Sequence, residues 1–149
     1  MAGCGGLQRK FARKKTEETR ISPVITTYDY SKELRAEELY KKHFLFWKSW
    51  QTELIDRLSG TYKKRAECYN YAIMSLYEMK KYLKEPKAAE LEEFITMIKS
   101  VDPEVKEPRL SRSQQYRIGN MLESARRRID RQFSYKKVKD YVELRKNDN

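Results

Sequence analysis

Two long amphipathic runs separated by only three residues, Ser59-Gly60-Thr61, constrain this chain more than any other feature. Steps of 100° place Ala36, Leu39, Tyr40, His43, Phe44, Phe46, Trp47, Trp50, Leu54 and Leu58 on one broad side of the first run. Glu33, Lys41, Lys42, Lys48, Ser49, Thr52 and Asp56 fall on the other. The second run repeats the pattern with Tyr62, Ala66, Tyr69, Ile73, Leu76 and Leu83, widened by Ala72 and Met79. Two such helices with a three-residue connection must fold back on each other as an antiparallel hairpin. The expected bounds are 31–58, capped by Ser31 and stopped by Gly60, and 62–84, closed by Glu85-Pro86.

The rest of the chain extends this helical reading. Leu91, Phe94, Ile95 and Ile98 recur at i, i+3, i+4 and i+7, which predicts a third helix over 87–100. Pro103 and Pro108 make 102–108 a linker, since neither fits a helix interior. Ser111-Arg112-Ser113-Gln114 has the form of a capping box and opens a fourth helix over 111–133, with Ile118, Met121, Leu122, Ala125, Ile129 and Phe133 inward. A short last helix is expected over 135–144. The fold class is therefore all-α: a helical hairpin plus two or three further helices in a small bundle spanning 31–145. Before it stand a flexible basic tether, 1–22, and an arm, 23–30, whose β-branched and aromatic residues suit an extended backbone.

The net charge of +11 is concentrated at the ends. Residues 1–20 hold six basic and two acidic side chains, residues 21–108 fifteen of each, and residues 109–149 twelve basic and five acidic. Two basic ends around a neutral middle attract anionic partners: a phospholipid surface, nucleic acid or another acidic polymer. On the fourth helix Arg112, Arg117, Arg126, Arg127, Arg128 and Arg131 form the candidate face for such a partner. Tyr71 and Tyr82 are expected to be exposed and able to stack on bases. Against a single stripe stands the order of Arg126, Arg127 and Arg128, which as consecutive residues splay around the helix.

Signals for catalysis are sparse. His43 is the only histidine and falls on the apolar side between Tyr40 and Trp47, where a packed boundary residue is expected. Cys68 follows Lys64 and Arg65, which would lower its pKa, but its position suits a small buried side chain. Glu37 and Glu38, or Glu90, Glu92 and Glu93, lack the further histidine that a helix-bundle diiron site needs. No catalytic residue, metal ligand or cofactor is assigned. An enzyme built on His43 or Cys68 ranks below the two binding functions that follow.

The first six residues carry the sharpest signal. Met1-Ala2-Gly3-Cys4 resembles the lipobox of bacterial lipoproteins, in which an aliphatic and two small residues precede the cysteine that is lipidated. Gly5-Gly6-Leu7 and the basic stretch after it are similar to the tether by which such proteins hang from a membrane. Ala2, where myristoylation requires glycine, excludes that modification. The resemblance implies a lipid-anchored protein of the bacterial cell envelope, with Cys4 as the lipid site. Arg9, Lys10, Arg13, Lys14 and Lys15 would then touch the membrane surface. It also implies export signals encoded upstream of Met1. The expected function is a non-enzymatic interaction or structural module whose partner is an unknown protein or anionic polymer. The alternative is a cytoplasmic nucleic-acid-binding protein that uses the arginine-rich helix.

Overall fold

The computed structural model describes the backbone over residues 28–143 and side chains over 35–143. It contains α1 (Tyr28–Asp56), α2 (Tyr62–Lys81), α3 (Lys87–Lys99), α4 (Asp102–Val105), α5 (Arg112–Phe133) and α6 (Tyr135–Val138), then a 3₁₀ turn, Lys139–Tyr141. The protein is all-α, with no strand among the described residues and one isolated bridge between Leu83 and Val142. By contacts the chain divides into two units, Met1–Lys32 and Glu33–Asn149. The bundle is the second; of the first, only the helical backbone of 28–32 is described. The expected tether, with Cys4 and its basic residues, and the arm up to residue 27 lie outside the described residues.

Helix α1 starts before the expected cap. Tyr28-Asp29-Tyr30 is already helical, so Ser31 lies inside the first turns. Its buried side chains are Ala36, Tyr40, Trp47, Gln51, Leu54 and Leu58. This arc is narrower than the expected apolar side. Phe46 is 45% exposed, and Trp50 is half-buried, stacked on Tyr71 with ring centroids 4.7 Å apart. The arc turns toward Gln51, whose amide is fully buried between Trp47 and α5.

Helix α2 begins at an N-cap, Thr61, whose hydroxyl accepts from the Lys64 amide at 3.3 Å. Its buried face is Arg65, Cys68, Tyr69, Ala72, Ser75, Leu76 and Met79. Tyr62, expected inward, is exposed, while Arg65 faces inward and reaches the carbonyls of Gly60 in the hairpin turn and of Val105, forty residues on. The helix ends at Lys81, short of Leu83. Tyr82 and Leu83 instead meet the C-terminal segment: Glu143 N donates to Tyr82 O at 2.8 Å, and Lys84 N to Tyr141 O at 2.7 Å. Tyr82 is therefore buried and unable to stack on a base, contrary to the sequence expectation. The same pairing ends the expected last helix after one α-helical turn and one 3₁₀ turn.

Helix α3 is capped from before its start, where the Glu85 carboxylate accepts from the Ala89 amide at 3.1 Å. The expected linker contains a helical turn, α4, because Pro103 sits in the first turn, where no intrahelical N–H is required. Helix α5 begins as expected with a complete capping box: Ser111 Oγ accepts from Gln114 N at 3.1 Å, and Gln114 Oε1 from Ser111 N at 2.8 Å. Leu76, Leu91, Ile95, Ile98, Ile118, Leu122, Ile129 and Phe133 are fully buried in one core. Each such side chain contributes roughly 1.5–3 kcal/mol relative to staying exposed.

Candidate functional site

The charged surface that the sequence places on the arginine-rich helix is carried by α5. Ser113, Arg117, Asn120, Ser124, Arg128 and Arg131 follow one another at spacings of three or four residues, and all are exposed. They form one stripe along the helix, free of acidic residues, with Arg127 beside it and Tyr116, 74% exposed, at its edge. The opposite side carries Ile118, Leu122, Ala125, Ile129 and Phe133 into the core. The stripe exists because the apolar positions alone fix how α5 rolls, leaving only polar and basic residues outward.

The six predicted arginines are not equivalent. Arg126 is half-buried and bonds Glu123, one turn earlier on the same helix, at 2.6 Å. Arg127 reaches the same carboxylate at 3.2 Å while staying exposed. Arg128 lies over the Phe94 ring of α3, 4.8 Å from its centroid. The three consecutive residues thus diverge, as their spacing requires. Arg117 is hydrogen-bonded to Glu104 of α4. Arg112 and Arg131 are exposed and without an ion pair among the described residues. The Glu123 carboxyl is held below its ordinary value first by the hydrogen bond from Arg126 and also by Arg127, and Glu104 is lowered first by Arg117. Both acids on α5 are engaged, since Asp130 takes Lys48 of α1 at 3.1 Å.

The other candidates resolve differently. His43 sits half-buried at the α1–α2 seam, its Nε2 3.9 Å from the Glu78 carboxylate and its ring edge-on to Phe46. Burial lowers its pKa, and Glu78 offsets this in part. Cys68 is fully buried, and desolvation raises its thiol pKa although Lys64 acts the other way. The activating effect expected of Lys64 and Arg65 is therefore outweighed. Arg65 turns its donors elsewhere, to the carbonyls of Val105 and Gly60. No group of three or more His, Cys, Asp or Glu side chains suited to a metal ion occurs among the described residues. No helix among them is long and apolar enough to cross a membrane.

Two neighbouring clefts at the hairpin end were not foreseen. One, about 490 Å³, is lined by Ser59, Gly60, Thr61, Arg65, Arg109 and Gln115 among others. The other, about 800 Å³, lies between Ile55, Leu58 and the first turns of α5, including Arg112, Tyr116 and Gly119. They share Leu58, Ser59 and Gln115. The sequence signal was weak: Arg109 stands between the expected linker and the fourth helix, and Arg65 follows two lysines in a helix pattern that reads as solvated. Compared with protein-family models, with curated proteins and with solved structures, the chain matches none.

Proposed function

We propose that this protein is a non-enzymatic, lipid-anchored helical module of the bacterial envelope, held to the membrane through Cys4 and engaging an anionic partner through α5. The observation that carries the reading is the sequence Met1-Ala2-Gly3-Cys4-Gly5-Gly6 followed by Arg9, Lys10, Arg13, Lys14 and Lys15. Acyl chains on the thiol supply about 0.8 kcal/mol per buried methylene, and each basic residue beside an anionic leaflet adds about 1 kcal/mol. The bundle supports the second half of the proposal, because α5 offers an exposed stripe of arginines with no acid in it. The buried, desolvated Cys68 and the packed His43 support a binding role over a catalytic one. Mass spectrometry of the protein from its native host is the test. A diacylglyceryl group on Cys4 in a membrane fraction is expected. An unmodified amino terminus in a soluble fraction overturns the anchor.

The same stripe favours a second reading, a nucleic-acid-binding protein. Arg117, Arg127, Arg128 and Arg131 would contact phosphates, with Tyr116 available to stack. Affinity for DNA or RNA should then fall steeply with salt, with a logarithmic slope of about 0.9 per duplex phosphate neutralised. No binding at low salt removes this reading and leaves the envelope one standing.

A further inference from the structure

We infer that the inner cleft at the hairpin end binds a phosphate monoester or an oxyanion of like charge, with Arg109 as its contact residue and Arg65 beneath it. The inference stands apart from the anchoring of Cys4 and from the outward stripe of α5.

Its basis is an arginine buried without a counter-charge. Arg65 is 1% exposed and lines the inner cleft. Its Nε donates to Val105 O at 3.3 Å, one terminal nitrogen to Gly60 O at 2.5 Å, and the other to Glu107 O. All three acceptors are neutral carbonyls. A guanidinium has five N–H groups, so these bonds fix its position and leave its full charge unneutralised beneath the cleft. The nearby carboxylates are turned elsewhere: Glu104 to Arg117 and Gln114, and Glu107 to Gln114. No acidic residue lines the inner cleft, while Arg109 on its wall is exposed and has no ion pair among the described residues.

The surroundings reinforce the same sign of charge. Helix α2 starts at Thr61 on the inner wall, and α5 starts at Arg112 on the wall of the adjoining cleft. Neither helix has an acid in its first turn, although acids are the residues favoured there. Lys63, Lys64 and Arg112 occupy those turns instead. The adjoining cleft does hold two carboxylates, Asp56 and Glu123, the latter already bonded to Arg126 and Arg127. The inner cleft is thus the positive end of the groove, and a tetrahedral oxyanion of about four heavy oxygens fits its 490 Å³ with room for an attached group.

The test is a titration of the full-length Cys4→Ser protein with inorganic phosphate at constant ionic strength, followed by amide NMR. The amides of Gly60, Thr61, Tyr62 and Arg109 should shift together along one saturable curve. Arg109→Ala, at an exposed position and therefore compatible with folding, should weaken the affinity about tenfold. Lys137→Ala removes one charge a full α5 length away and should leave it within twofold. Vesicles of phosphatidic acid in phosphatidylcholine identify the source of the phosphate. Vesicle binding abolished by Arg109→Ala assigns it to a lipid headgroup, whereas saturation by phosphate without vesicle binding assigns it to a soluble ester. Shifts that grow linearly, or an affinity untouched by Arg109→Ala, overturn the site.

Discussion

Gln51 shows how much a single polar side chain decides in this core. It accepts from Trp47 Nε1 at 2.6 Å and donates to Leu122 O at 2.9 Å, so one buried amide ties α1 to itself and to α5. Gln51→Leu keeps the volume but strands the indole N–H in an apolar interior. Urea denaturation should report a loss of about 1–3 kcal/mol. His43 carries the pH response near neutrality. Burial disfavours its imidazolium, so below about pH 6.5 the unfolded chain binds more protons than the folded one. Its contribution to stability is complete above about pH 6.5 and is lost as pH falls through the lowered folded value. The carboxyls of Glu123 and Asp102, lowered by Arg126 and Lys106, respond only in stronger acid. As the one histidine in the chain, His43 gives a single imidazole NMR titration, expected below pH 6.5. A midpoint above that value would contradict the burial. The sequence placed His43 correctly at the edge of the apolar side. It did not reveal Gln51 or Arg65, because periodicity scores a glutamine and an arginine as solvated, and the carbonyls that make them interior, Leu122 for Gln51 and Val105 and Glu107 for Arg65, are distant in sequence.

At the level of elements, local signals were read well and non-local ones were not. The capping box at Ser111 is complete within four residues of sequence, and α5 starts where it predicts. Ser111→Ala should lower stability by about 1 kcal/mol in thermal or urea unfolding, and Ser111→Asp should largely preserve it. The hairpin was equally legible, although α1 ends at Asp56 and not at Leu58, so that the connection runs over five residues, 57–61. The end of the chain was not, since Val138, Tyr141 and Val142 have helical spacing in isolation. Their fate is decided by Leu83, fifty-nine residues before Val142, through the bridge and the two backbone bonds around it. Truncation before Val142 removes the Glu143 bond to Tyr82 and should lower the melting temperature by several degrees, with helix content by circular dichroism almost unchanged. The arginine-rich helix was foreseen as a candidate surface, and its exposed stripe lies on α5. The apolar positions show which of its residues face outward, but the engagement of Arg126 by Glu123 and of Arg128 by Phe94 depends on side-chain packing that periodicity does not register.

Over the whole molecule, one core joins α1, α2, α3 and α5, so opening any part of it should expose the rest. Cys68 reports this directly. Its thiol is fully buried and its pKa raised, so in a Cys4→Ser background it should resist thiol reagents until the bundle unfolds. The labelling rate should follow the global unfolding equilibrium across a urea series. Rapid labelling in native buffer would instead mean that α2 opens on its own. The neighbouring tryptophans give the same body a two-colour optical signature. Trp47 is sealed in the interior against Gln51, while Trp50, one turn later, lies at the periphery against Tyr71. Iodide should therefore quench only the redder part of the native emission, leaving a blue component that disappears when the bundle melts. A ligand or membrane settling over the α1–α2 seam would shield the red component alone, so fluorescence can locate contact on that flank without any added dye.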